Sequence, residues 1–358
     1  MSSIEVFNKY YISEKNRLEK CLNEYNDSLA DSDSNIFMKN NLEYFADLNS
    51  CGKLIRGILI NLGYSILHKN SDYSLSLALA YEIFQTAILV HDDVIDKDNI
   101  RRGKETIHYR NYREFQNKIN EIEAKELSDS IALCMGDYGL FAANKVISDS
   151  YHDDPNLGRV LNYFNDIVLK TIKGELLDVI LPYKSREDEI SQSLLEKSIL
   201  DIYELKTSYY TIIGPLSLGL ILAGGKDFQI EEIERFGREV GVAFQIQDDI
   251  LGVYSDKIGK VIGSDIKEFK QTILFSHVKG TSYYDDFLKY YGREDLTDEV
   301  IDKVRVILEK SGSKDYAIEQ MNNHYNNSLK LLEKISWISE KEKLILTGFV
   351  EYLRQRNK

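Results

Sequence analysis

Apolar residues recur every three or four positions along most of the chain, the period of an amphipathic helix. The pattern predicts helices over 1–30 and 36–48, a break at Asn49-Ser50-Cys51-Gly52, and a helix from Ile55 to Leu67. A long apolar helix runs from Ser74 to Ile95 and ends in acids, and the polar stretch Asp96 to Thr106 reads as a loop. Residues 109–127 are densely charged and read as a solvated helix or an insertion. Apolar helices are expected at 128–150, 157–181, 193–222 and 230–254, with a Gly/Lys loop from Asp256 to Ser264. Charged helices fill 265–280, 282–291, 297–311, 314–335 and 339–355. No linker, low-complexity run or solenoid period interrupts the pattern. The expectation is all-α, a single domain over 1–358, with its most apolar helices in the middle of the chain.

Composition supports this. Only 3 of 358 residues are proline, too few for a loop-rich β fold, and 43% are hydrophobic, enough for a large core. The net charge of −13 argues against nucleic acid as a partner. Cys21, Cys51 and Cys134 are odd in number and unpaired in spacing. That pattern argues against disulfides and zinc and for a reducing, cytoplasmic location. The start of the sequence is charged and has no apolar core of a targeting signal. Thr207 to Gly225 is 19 residues without a charge, about the length of a membrane span. It contains Ser208, Thr211, Gly214, Pro215, Ser217 and Gly219, so a buried, proline-kinked core helix is expected instead, and no membrane span.

Adjacent aspartates occur four times, so the pair alone says little. Asp153-Asp154 precedes Pro155 and reads as a turn, and Asp285-Asp286 reads as a solvated face. The other two pairs sit at the ends of apolar helices. Asp92 and Asp96 lie one helical turn apart on one face, with Asp93 adjacent and Asp98 beyond. Asp248-Asp249 repeats the arrangement at the end of Val240 to Ile250. Like charges on a buried helix are costly, and a hard divalent cation held by oxygen ligands removes that cost. Such a cation, above all magnesium, completes its shell with water and substrate phosphate. Phosphate needs cations, and several lie close in sequence: Lys53 and Arg56 around a helix start, Arg101-Arg102, Lys206, Lys260 and Lys270. Each alone is ordinary surface charge; the ordered set is not.

The set resembles the trans-isoprenyl diphosphate synthases, the polyprenyl synthetase family. HDDVIDKDNIRRGKET (91–106) is similar to the family's first aspartate-rich motif and AFQIQDDILGVYSDKIGKVIGSDI (243–266) to its second. GKLIR (52–56) and ELKTSYYTIIGPLSLGLILAG (204–224) fit its other two signatures, and the resemblance covers about 40–275. It implies a helical barrel or bundle around a central apolar cavity. It also implies magnesium-dependent head-to-tail condensation of isopentenyl diphosphate with an allylic diphosphate (dimethylallyl, geranyl or farnesyl). Pyrophosphate is released and is expected to take the lost proton, since no base is evident in the motifs.

Residue by residue, the resemblance implies that Asp92 and Asp96 bridge magnesium ions on the allylic diphosphate, with Asp93 in their shell. Asp248, with Asp249, would hold a third ion, and Mn2+ could replace Mg2+. Arg101, Lys206, Lys260 and, as an assistant, Lys270 would grip the allylic diphosphate. Lys53, Arg56, Gln85 and Arg102 would grip isopentenyl diphosphate. Thr207 and Gln245 would face the developing cation, and a homodimer is implied.

Three departures stand out: Gly252 where the second motif often has a third Asp, Phe269 where Gly is common before Lys270, and the charged stretch 109–127. Product length depends on what lies beneath the first aspartates. Ile88 and Ala87, four and five before Asp92, are not aromatic, and Phe84 lies a turn deeper as a candidate floor. Geranylgeranyl diphosphate is favoured, over farnesyl or longer products. A class I terpene cyclase would lack QDD and need neither Lys53, Arg56 nor Arg102. A non-catalytic subunit of a two-chain synthase would have lost its aspartates.

Overall fold

The computed structural model describes residues 1–30, 34–186, 190–255 and 263–355. The chain is helical nearly throughout and divides into two compact units that alternate along the sequence. The first, here the N-unit, comprises Lys9–Asn162 and Leu218–Gly225. The second, the C-unit, comprises Met1–Asn8, Tyr163–Ser217 and Lys226–Lys358.

In the N-unit, α1 (Ser3–Ala30) contributes its larger part, followed by α2 (Ile36–Asn49), α3 (Ile55–Ser65) and α4 (Leu75–Asp96). A short α5 (Ile107–Phe115) and the long α6 (Glu121–Ser150) follow. The packing of α4 on α6 is its main interface. Leu77, Ala80, Ile83 and Phe84 of α4 are fully buried there with Ala132, Ala143 and Ile147 of α6. A buried polar network ties the other helices in. Glu14 of α1 accepts from Asn61 of α3 at 2.9 Å and from Ser71 at 3.1 Å, and pairs with Arg17 at 2.6 Å.

In the C-unit, α7 (Leu157–Arg186) supplies most of its length, then come α8 (Gln192–Ile202), a π-helical segment (Tyr203–Ile213) and the start of α9 (Gly214–Leu222). The core helix α10 (Asp227–Tyr254) packs on the π segment and on α15 (Ser313–Lys334). Between them run the short α11 (Ser264–Lys267), α12 (Ile273–Lys279) and α13 (Tyr284–Phe287), then α14 (Asp298–Lys310); α16 (Glu340–Arg354) closes the chain. Phe236, Ile246, Phe275, Tyr325 and Phe349 centre this core.

Four elements differ from the sequence pattern. The stretch 109–127 is not one solvated helix: α5 ends at Phe115, and Asn120 caps a new helix by accepting the Glu123 N–H. Buried Ile107, His108 and Asn111 anchor α5. The expected helix 193–222 changes register into a π segment at Tyr203 and back at Gly214. Pro215 lies just past the point where the helix returns from the π register, so the backbone N–H it lacks falls at the change of register. Every residue from Thr207 to Leu222 is buried. Among the described residues, the one helical stretch long and apolar enough to cross a membrane is Asp72–Asp96, with 67% of its apolar window buried in the protein. Lastly, 265–280 breaks into α11 and α12 at Phe269, and the expected loop 96–106 contains a β-hairpin.

Candidate active site

Helix α4 is mostly apolar apart from the buried Glu82, Gln85 and Thr86 until its acidic end, and that end is set by Lys97 in the left-handed conformation, whose N–H returns to the Asp93 carbonyl. The Asp98 N–H joins it on the same carbonyl at 2.9 Å. This end leaves Asp92 and Asp96 half-buried and Asp93 buried. The chain then turns back through two-residue strands β1 (Ile100–Arg101) and β2 (Lys104–Glu105). Arg102 (φ 54°) and Gly103 (φ 78°) form the turn. Positive φ at both central residues is the hairpin turn whose twist matches paired strands.

The turn sends neighbouring arginines to different partners. Arg101 lies over the acids: Nε donates to Asp93 Oδ1 at 2.5 Å, and Nη2 reaches Asp92 at 3.2 Å and Asp98 at 3.1 Å. Arg102 instead donates to the Cys51 carbonyl, beside Gly52 and the start of α3. Lys53, exposed, and Arg56, half-buried, belong to that same start, and the Tyr11 hydroxyl donates to the Lys53 carbonyl at 2.8 Å. Gln85 is buried on α4. Burial pushes the Asp93 carboxyl up to about 7 against the pull of the Arg101 guanidinium.

The C-unit carries a second cluster. Lys206 and Thr207 lie in the π segment, a form of helix frequent at functional sites. Lys206 Nζ sits between Asp178 at 2.7 Å and Glu175 at 2.8 Å, both on α7. Gly174 makes the approach possible, because a Cβ there would run into the Lys206 backbone. The Thr207 hydroxyl donates to Gln245 Oε1 at 2.5 Å, and Gln245 Nε2 donates to Asp249 Oδ1 at 2.8 Å. The Tyr203 hydroxyl donates to Asp249 Oδ2 and accepts the Ile273 N–H at 2.8 Å. Burial, then the Asp265 carboxylate, push the Asp249 carboxyl up to about 8, against these two donors. Asp248 is half-buried on the same helix.

Two departures now have physical reasons. A Cβ at Gly252 would stand 2.6 Å from Asp265 Oδ2, so the missing side chain makes room for a carboxylate from α11. Phe269 takes the left-handed conformation (φ 55°) that glycine adopts freely, at a cost of about 1–2 kcal/mol. Its ring packs on Phe275 and Tyr291 and lies under the Arg186 guanidinium, 4.4 Å from the ring centre. Lys270 keeps its orientation toward acids, with Nζ 3.8 Å from Asp178 and 3.9 Å from Asp265.

Of the sequence-derived site residues, Asp92, Asp93 and Arg101 are brought together, as are Thr207, Gln245 and Asp249. Lys206 and Lys270 share Asp178. Lys260 lies outside the described residues. Glu175 and Asp178 were missed; the available signal was an acid pair three residues apart directly after a glycine. Of the residues proposed to set product length, Phe84 is fully buried edge-on to Tyr81, with ring centres 5.3 Å apart. Ala87 is also fully buried, and its Cβ and the Phe45 ring leave no space for a side chain at Gly139 of α6. Ile88 is half-buried.

The acid set suits a hard divalent cation such as magnesium. Its donors are all oxygens, and Asp93 Oδ2 is buried without a hydrogen-bond partner. Among the described residues no three acidic, imidazole or thiol side chains form a ready-made metal cage.

The family model described as "Polyprenyl synthetase" matches residues 37–308. The chain belongs to the polyprenyl synthetase family. This prenyltransferase is 27% identical over 316 residues to the geranylgeranyl diphosphate synthase of Sulfolobus acidocaldarius, covering 86% of this chain and 88% of that one. It is 25% identical to the geranylgeranyl diphosphate synthase of Methanosarcina mazei over 85% of this chain and 86% of that one. Among solved structures, this polyprenyl synthetase is similar to the geranylgeranyl pyrophosphate synthase of Corynebacterium glutamicum complexed with isoprenyl diphosphate and magnesium. The TM-score is 0.83 at 25% identity, covering 97% of this chain and 99% of that one.

Proposed function

We propose that the chain condenses isopentenyl diphosphate head to tail with an allylic diphosphate and makes geranylgeranyl diphosphate. The observation that carries the reading is the Arg101–Arg102 turn. It directs one guanidinium into the acids and the next to the start of α3, giving one unit two separate places for an anion. A terpene cyclase handles a single diphosphate and has no use for the second place.

In this reading Asp92, Asp96 and Asp248 hold three magnesium ions, for which manganese can substitute, while Asp93 and Asp249 position them. Bound magnesium supplies charge neutralisation at the departing diphosphate. Arg101, Lys206, Lys260 and Lys270 grip the allylic diphosphate. Lys53, Arg56, Gln85 and Arg102 orient isopentenyl diphosphate for attack. The oxygens of Thr207 and Gln245 face the cation left by ionisation, and apolar side chains keep water from it. The small Ala87 and the non-aromatic Ile88 leave space for a long product, and two of the relatives above are geranylgeranyl diphosphate synthases. The whole chain acts as one synthase domain, a cytoplasmic homodimer without a membrane span; three free cysteines suit a reducing compartment.

The test is incubation of the protein and magnesium with labelled isopentenyl diphosphate and each of dimethylallyl, geranyl and farnesyl diphosphate. Dephosphorylated products are then separated by chromatography. Geranylgeraniol from all three primers is expected. Products that stop at farnesol would refute the assigned length, and absence of any elongation would refute the reaction.

A further inference from the structure

One buried acid has no place in the chemistry above. Glu82 sits on α4 ten residues before Asp92, and its side chain is buried at 3% relative exposure. A carboxylate is rarely buried so fully unless it is paired, because desolvation costs several kcal/mol. Its Oε1 accepts the Gly57 N–H at 2.8 Å. Gly57 lies in the first turn of α3, immediately after Arg56. That turn has no cap of its own: Leu54 at the N-cap is left-handed and makes no side-chain bond to the helix. Glu82 therefore supplies from α4 the anionic partner that a helix N-terminus favours.

The fit is close. A Cβ at Gly57 would collide with Leu18 and crowd the Ala78 carbonyl, so the start of α3 lies tight against α4 at this point. Burial pushes the Glu82 carboxyl up, while the Gly57 N–H and then the charges of Arg56 and Arg102 pull it down. Those two guanidiniums are the ones assigned above to isopentenyl diphosphate. Arg102 is already fastened to the Cys51 carbonyl on the other side of the same loop.

We infer that Glu82 is a positioning residue for the isopentenyl diphosphate site: through the Gly57 N–H it fixes the first turn of α3 and so orients the adjoining Arg56. The inference rests on the proposed function. Without the carboxylate, that turn loses its partner and the Arg56 fork loses registry with the diphosphate. Gaining one unit of net positive charge works the other way. The orientation effect dominates, because a guanidinium binds phosphate through directed, paired hydrogen bonds.

The test is steady-state kinetics of Glu82→Gln, which keeps the oxygen facing Gly57 and removes the charge. KM for isopentenyl diphosphate should rise about tenfold, with kcat and the allylic KM within about twofold of wild type. Glu82→Asp, which keeps the charge, should recover most of the affinity, and it serves as the readout if Glu82→Gln does not fold. In an Arg56→Ala background, Glu82→Gln should change KM little further, because its effect passes through Arg56. An unchanged or lower KM for isopentenyl diphosphate, or equal loss toward both substrates with a lowered melting temperature, would overturn the inference. If wild type elongates no primer, the proposed function fails instead, and the two failures are distinguishable.

Discussion

The two acidic pairs look alike in sequence and differ in three dimensions. In each, the first aspartate is half-buried and the second buried. Asp93 faces the Arg101 guanidinium, itself also tied to Asp92 and Asp98, and keeps a buried oxygen with no hydrogen-bond partner. Asp249 is closed off: Tyr203 and Gln245 occupy its two oxygens with neutral donors. The first pair is an acid site held by the Arg101 guanidinium. The second sets the half-buried Asp248 beside a finished hydrogen-bond network. The repeated DD motif thus rests on two different supports, a guanidinium at the first pair and neutral donors at the second.

The largest effects should separate the members of the second pair. Asp92→Ala and Asp248→Ala should each cut turnover at least about 100- to 1,000-fold, since each removes charge stabilisation at the leaving group. Both should keep wild-type helical circular dichroism and melting temperature. Asp249→Ala strands the Tyr203 and Gln245 donors and should cost about 1–3 kcal/mol of stability, read as a melting temperature lower by several degrees without substrate. A normal melt for Asp249→Ala would break the contrast.

Smaller effects should separate the paired arginines. Arg101→Ala should weaken the allylic diphosphate and lower kcat, and Arg102→Ala should raise KM for isopentenyl diphosphate roughly tenfold, with each leaving the other substrate nearly unchanged. Exchange of these two outcomes would show that the hairpin turn does not partition the substrates. The smallest effects concern product length. Ala87 is packed against Phe45 at Gly139, so Ala87→Phe must displace an aromatic ring and should lower the melting temperature. Ile88→Phe, at a half-buried position, should shift the product ladder toward farnesyl diphosphate. An unchanged ladder for Ile88→Phe with activity retained would place the floor elsewhere, for example nearer Phe84.

The aspartate motifs were legible in the sequence because acids on an apolar helix violate the ordinary pattern. The helices α4 and α10 that carry them were legible from their period and length. The hairpin was not, because two-residue strands have no alternation to detect, although Arg102-Gly103 offered a turn signal. The π segment was invisible for a different reason. A register of five residues leaves the same apolar composition as one of four, and the segment packs against α10, which lies far away in sequence. Glu82, Glu175 and Asp178 read as ordinary polar positions on helices. Their meaning comes from what they meet, the first turn of α3 and Lys206, and one-dimensional spacing does not carry that. Phe269 illustrates the converse: the backbone conformation expected of glycine persists with a phenylalanine held by its aromatic neighbours.

The proposed reaction uses two diphosphates and loses only one. The direct measurement is the ratio of pyrophosphate released to isopentenyl diphosphate incorporated, with magnesium and dimethylallyl diphosphate as primer. One pyrophosphate is expected for each isopentenyl unit added, with products ending at geranylgeranyl diphosphate and complete loss of both signals on chelation. Pyrophosphate released from the allylic substrate with no isopentenyl uptake, accompanied by a hydrocarbon or alcohol product, would contradict it.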